Sequence, residues 1–142
     1  MTKPKGQLLL RTVAMPANTN ANGDIFGGWI MSQLDLAGAI LAKELSNGRV
    51  VTVSVDGIHF LSPVRVGDVV CCYGECTRIG RTSMTVELEV WIKSIDYENV
   101  GEPAPVCRAT FNYVAIDANH KPRPIPEKAR FDNHTTDQPP SM

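Results

Sequence analysis

Residues 25–46, "IFGGWIMSQLDLAGAILAKELS", constrain the fold more than any other stretch of the chain. Phe26, Ile30, Leu34, Ala37 and Leu41 recur at steps of three and four, the spacing of one face of an α-helix. Asn47-Gly48 supplies a stop. The flanks are apolar as well, through Trp29, Met31, Leu36, Ala39 and Ile40. A helix apolar nearly all round has to be covered by something.

The remaining segments offer that cover. "QLLLRTV" (7–13) reads as a short first strand, and four β-branched runs follow the helix: "RVVTVSVDGIHF", "DVVCCYGECTRI", "TSMTVELEVWIKSI" and "VCRATFNYVAID". Turn-forming stretches, "SPVRVGD", "GRT" and "ENVGEPAP", separate them. The short turn "IGRTS" makes the second and third of these runs antiparallel neighbours. The order β-α-β-β-β-β predicts an α+β architecture, one antiparallel sheet wrapped around one long central helix, with the last four strands as a meander. The domain is expected over residues 7–126. Residues 127–142 read as a Pro-rich, polar tail expected to be mobile.

At 142 residues the chain fits one domain large enough to bury its own core. A net charge of -1 gives no basic field for nucleic acid or an anionic membrane. No apolar run approaches the roughly 18 residues needed to span a bilayer. The apolar run of the N-terminus is too short for a signal peptide, so the cytoplasm is expected. The cysteines at 71, 72, 76 and 107 form no CxxC pair and no zinc-ligand spacing with histidine. Neighbouring Cys71 and Cys72 would point to opposite faces of a strand, so buried reduced thiols are expected.

Two features of the helix call for explanation. Gly27 and Gly28 fall in its first turn, where each glycine costs roughly 1 kcal/mol relative to alanine. Either a substrate oxygen approaches the Gly28 N–H, whose lack of a Cβ leaves room, or the helix start packs tightly on a strand. Asp24 is placed to be the N-cap, its carboxylate accepting from first-turn N–H groups. The second feature is Asp35, set among Leu34, Leu36, Ala37 and Ala39. A low-dielectric setting disfavours a charged carboxylate, as suits a general base working near neutral pH. The alternative is an acid on an exposed strip of helix. Buried-looking acids are uncommon, which points to function.

Gly28 and Asp35 lie seven residues apart, on the same helix face but about 10.5 Å apart along the axis. A base and an oxyanion donor must both stand within about 3 Å of the reacting group. One chain cannot bring the two together. Two antiparallel copies of the helix, related by a two-fold axis, would set Gly28 of one beside Asp35 of the other, so catalysis by both implies at least a dimer.

The block "LLLRTVAMPANTNANGDIFGGWIMSQLDLAGAILAKELSNGRVVTVSVDGIHFLSPVRVGDVVCCYGE" resembles the bacterial YciA-type acyl-CoA thioesterases of the hot-dog fold. The similarity continues more loosely to about Pro126. The resemblance implies hydrolysis of acyl-CoA to free acid and CoA, without metal or redox cofactor, CoA being part of substrate and product. It implies that Asp35 acts as base or nucleophile and that the Gly28 N–H polarises the thioester carbonyl. It also implies a substrate-side polar role for Asp24, where relatives carry Asn, with Asn20, Phe26 and Gly27 as further substrate contacts. Hot-dog dimers assembled as trimers of dimers are implied as well. Asp56 and Gly57 depart from the family pattern at positions that border the acyl tunnel in related folds.

CoA phosphates suit arginine and loop N–H groups. The turn offers Arg78, Gly80, Arg81, Thr82 and Ser83 for them, with Arg65 and Arg123 as further candidates. "GDIFGG" lacks the GxGxxG spacing of a dinucleotide site, and no GxSxG occurs. Two alternatives remain open: a hot-dog dehydratase or hydratase, which needs a histidine near the helix start, and a non-catalytic acyl-CoA-binding module. Of the three histidines, His59 falls in a strand, and His120 and His134 in loop and tail.

Overall fold

The computed structural model describes residues 3–95 and 99–130. Five strands, β1 (Gln7–Val13), β2 (Val50–Phe60), β3 (Val69–Ile79), β4 (Ser83–Lys93) and β5 (Ala104–Ala115), accompany one long helix, α1 (Gly27–Ser46). The strands form a single sheet in the order β1-β3-β4-β5-β2, antiparallel at every pairing, and α1 touches all five. The expected α+β wrap of sheet on helix is therefore the observed one.

The meander is observed only in part. β3, β4 and β5 follow one another, but β2 lies at the far edge beside β5 rather than next to β3. Residues 61–68 carry the chain back across the end of the sheet, where Val64 is buried and its carbonyl accepts the Ile25 N–H. Eight residues reach up to about 26 Å, ample for three strand spacings. The tail expected over 127–142 is described only to residue 130: residues 127–130 are helical, and the rest lies outside the described residues.

One face of α1, Ile30, Leu34, Ala37, Gly38, Leu41, Ala42 and Ser46, is buried on the concave side of the sheet. It meets Leu88, Val90, Phe111 and Tyr113 in one core. The other face is not covered within the chain: Met31, Leu36 and Ile40 are exposed at 37%, 56% and 37%. Gly38 sits in mid-helix, where glycine costs about 1 kcal/mol, and packing explains it: a Cβ there would fall on the Tyr113 hydroxyl.

The end of α1 is built from afar. Asn47 takes the left-handed conformation (φ 55°) and stops the helix. Arg123 then donates from Nη1 to the Ser46 carbonyl (2.7 Å), from Nη2 to Ser46 Oγ and the Arg49 carbonyl, and from Nε to the Ile116 carbonyl. A guanidinium on the last carbonyls of a helix complements its negative end. Arg123 is thus a helix cap with four of its five donors held by the protein, which speaks against the reading of it as a phosphate ligand.

All four cysteines are buried and free, as expected. Cys71 and Cys72 do point to opposite faces, but both faces are covered there: Cys72 joins the core, while Cys71 pairs across the ladder with Trp91, buried on the outer side.

Candidate active site

The loop before α1 is shaped by Asn20. Its Oδ1 accepts the N–H groups of Asn22 (2.9 Å) and Asp24 (3.1 Å), and its own N–H donates to the Asp24 carbonyl. Ile25 and Phe26 are then held extended, their N–H groups bound to the carbonyls of Val64 and Asn18. The helix therefore starts at Gly27 with Phe26 as its N-cap (φ −57°, ψ 134°), and no side chain caps it. This corrects the N-cap reading of Asp24, which stands in the loop, exposed, before the chain turns helical. It corrects the expected start at Ile25 too.

The helix head is consequently bare. Phe26, Gly27 and Gly28 are all exposed; the Trp29 N–H bonds the Phe26 carbonyl (3.1 Å), while the Gly27 and Gly28 N–H groups have no partner among the described residues. The two glycines differ. A Cβ on Gly27 would touch the Phe60 ring at 3.4 Å, whereas a Cβ on Gly28 would meet nothing within 4 Å. The contact to Phe60 is an ordinary van der Waals one, so of the two reasons considered for a glycine pair, tight packing on a strand within this chain accounts for neither Gly27 nor Gly28.

Asp35 lies two turns on, close to the same line along the helix as Gly28. It is half-buried at the rim of the sheet rather than enclosed. Its Oδ1 accepts the Thr52 hydroxyl at 2.5 Å, and the Tyr113 hydroxyl reaches both that oxygen (3.2 Å) and the Asp35 carbonyl (3.0 Å). Thr52 and Tyr113 face each other across the β2–β5 ladder, so two adjacent strands present hydroxyls to one carboxylate oxygen. Oδ2 has no partner among the described residues. Burial, and then the Asp35 carboxylate beside it, push the Tyr113 hydroxyl far above its ordinary pKa of 10.0, so it stays protonated and donates. Neither Thr52 nor Tyr113 is legible as a site residue from sequence; Gly38, the gap that admits Tyr113, is the signal that could have found them.

The turn after β3 lies elsewhere. The Ala115 N–H binds the Thr82 carbonyl, the Ile125 N–H binds the Arg81 carbonyl, and the Gly80 N–H binds the Ser83 carbonyl. These bonds seat Arg78–Ser83 at the C-terminal end of α1, with Arg78 and Arg81 exposed. Within one chain that is the end opposite Gly28. Arg65 is exposed in the 61–68 crossover. Asp56 faces away from the helix, its Oδ2 accepting from Asn112 Nδ2 at 2.9 Å, and Gly57 forms a bulge at φ 57°. Within this chain neither borders Asp35. His59 is exposed on edge strand β2 and lines the outer face of the sheet with Glu87 and Arg108, on the side away from the helix. Among the described residues, no group of three or more His, Cys, Asp or Glu is arranged to hold a metal. No helix there is long and apolar enough to cross a membrane.

One antiparallel sheet curled over one long helix is the hot-dog fold. A family model described as the thioesterase superfamily matches residues 22–98. The acyl-CoA thioester hydrolase YciA of Salmonella typhimurium is 59% identical over 123 residues, 87% of this chain and 92% of that one. A crystal structure of a hexameric broad-specificity acyl-coenzyme A thioesterase superposes with a TM-score of 0.85 at 54% identity, covering 94% of this chain and 90% of that chain. A hexameric thioesterase from Yersinia pestis does so at 0.83 and 57%, covering 88% and 99%. The chain belongs to the thioesterase superfamily, among the YciA-type acyl-CoA thioester hydrolases.

Proposed function

We propose that the protein hydrolyses acyl-CoA to a free carboxylic acid and CoA in sites shared between two copies of the chain. The observation that carries this reading is one helix bearing both an uncapped glycine head with open space before it and, two turns along, a hydroxyl-anchored carboxylate. Both lie toward the part of the helix that the sheet leaves bare. The roughly 10.5 Å between them is too long for one substrate, and an antiparallel partner helix closes it. The uncovered Met31, Leu36 and Ile40 and the unpaired edge of β2, with Val51 and Val53 exposed, supply an apolar seam for that partner. The hexameric assembly of the structural relatives fits a trimer of such dimers.

In the proposed site the thioester carbonyl accepts the Gly28 N–H of one subunit, and Asp35 of the other serves as base or nucleophile. As base, Asp35 takes a proton from water while the water oxygen attacks the carbonyl carbon. The C–S bond then breaks and the thiolate leaves, to be protonated to CoA-SH. A thioester carbonyl is little stabilised by resonance, so a base and one or two donors suffice, and no metal or redox cofactor is needed. Asp24, Asn20, Phe26 and Gly27 border the acyl or pantetheine end at the helix head. Arg78, Gly80, Arg81, Thr82 and Ser83 take the CoA phosphates. They sit at the end of the Asp35-bearing helix toward which an antiparallel partner's head points.

A depression of about 350 Å³ on the outer face of the sheet, lined by Glu75, Glu87, Glu89, His59 and Arg108 among others, is on the wrong side for this chemistry. A site completed by a second subunit need not be a cavity in one. Replacing Asp35 with Ala and following free-thiol release from several acyl-CoAs tests the reading. Turnover should vanish while CoA still binds; unaltered turnover would remove Asp35 from the mechanism.

A further inference from the structure

Tyr113 is completely buried near the C-terminal end of β5, stacked near Phe111 with ring centroids 6.2 Å apart, yet its hydroxyl ends at the Asp35 carboxylate on the helix. It gets there because α1 has no side chain at position 38. A Cβ at that point would fall on the phenol oxygen, 2.9 Å from the ring carbon that carries it and 3.0 Å from Leu88 Cδ1. The hydroxyl lies 3.0 Å from the Asp35 carbonyl and 3.2 Å from Oδ1, so it grips the main chain and the side chain of the same residue. Thr52, its cross-strand neighbour, holds Oδ1 from the rim.

We propose that the Gly38 notch and Tyr113 form a positioning lock for Asp35, fixing Oδ1 and the local helix backbone so that Oδ2 is the oxygen presented to the reacting group. The proposal rests on the assignment of Asp35 as base or nucleophile. Thr52 on edge strand β2 is exposed and could not fix a carboxylate alone, since its hydroxyl can rotate and compete with water. The buried phenol is shut off from bulk solvent, and it keeps its proton because burial and the neighbouring carboxylate oppose ionisation. Tyr113 does not touch substrate in this scheme; it acts through Asp35.

The test compares Tyr113→Phe, Gly38→Ala and Asp35→Ala in the full-length protein, with kcat and KM for an acyl-CoA, CoA affinity and thermal midpoint measured for each. Tyr113→Phe removes only the oxygen. It is expected to lower kcat by about 10- to 100-fold, the scale of a small misplacement of a catalytic group, with KM and CoA affinity within about two-fold of wild type. Gly38→Ala, which drives the phenol out of its notch, should give the same kcat loss. The double variant Gly38→Ala/Tyr113→Phe should be no slower than the slower single variant and more stable than Gly38→Ala alone, because one oxygen is the common cause. On an Asp35→Ala background, Tyr113→Phe should leave the residual rate unchanged. A merely structural role would lower the thermal midpoint and spare kcat.

If Asp35→Ala abolishes turnover while Tyr113→Phe and Gly38→Ala keep kcat within two-fold of wild type, the lock is overturned and the base assignment stands. If Asp35→Ala itself turns over normally, the base assignment falls and the lock falls with it.

Discussion

Gly28 and Asp35 answer to different physical demands, and single substitutions separate them. An alanine at Gly28 meets nothing within 4 Å in its own chain and gains helix propensity, so the fold should hold or become slightly more stable. If a carbonyl must reach the Gly28 N–H, the same methyl lies in its way. Gly28→Ala is therefore expected to lose on the order of 100-fold in kcat without a fall in thermal midpoint. A parallel loss of both in kinetic and melting measurements would mean that the glycine serves packing. Asp35 was legible as an anomaly, an acid among Leu34, Leu36 and Ala37. Its anchors were not, because Thr52 and Tyr113 lie 17 and 78 residues away and converge only through β2–β5 pairing. Asp24 was misread for a local reason: Asn20 closes the loop on it and delays the helix to Gly27.

At the level of elements, the strands followed from alternation and turn residues almost to their ends, since β-branched runs broken by Gly and Pro admit little else. The end of α1 was legible as Asn47-Gly48, but its cap was not, because Arg123 arrives from beyond β5. Gly48 makes room for it: a Cβ there would stand 2.5 Å from Arg123 Nη2. Arg123→Ala should cost about 2 kcal/mol of unfolding free energy in urea titrations, through lost charge-assisted bonds to the carbonyls of Ser46, Arg49 and Ile116, and leave CoA affinity unchanged. Weakened CoA binding with intact stability would restore the phosphate reading.

The buried thiols of β3 and β5 make a pH prediction. Burial pushes Cys72 up to about 12, with the charges of Cys71 and Cys107 adding to it, and pushes Cys76 and Cys107 up to about 11 from an ordinary 9.0. The unfolded chain would ionise these thiols from about pH 9 while the folded chain stays protonated. Their contribution to stability is whole below pH 9 and falls as pH rises toward 11 to 12, by up to about 1.4 kcal/mol per pH unit for each thiol. Urea midpoints at pH 8 and pH 10 should show the fall, and Cys72→Ala should reduce its slope. A slope unchanged by that substitution would contradict the burial account.

For the molecule as a whole, the sequence told that the helix needed covering but not that one sheet would cover only half of it. The meander reading failed because crossover length says nothing about which edge a strand joins; β2 went to the far edge beside β5 and left its own outer side unpaired. That edge, and the apolar Met31, Leu36 and Ile40, are the surfaces a second copy would use. A lysine at Val53, 55% exposed on β2, should shift the assembly to smaller species in sedimentation and remove turnover with Asp35 intact. A fully active monomer would refute the shared site.

Subunit mixing tests the shared site most directly. Asp35→Ala and Gly28→Val should each be inactive alone. Co-expressed at equal levels and randomly paired, half of the dimers carry one of each chain, and each of those has one site with both native groups. The account predicts recovery of about a quarter of wild-type turnover; recovery of none, with mixed dimers shown to be present, would contradict it.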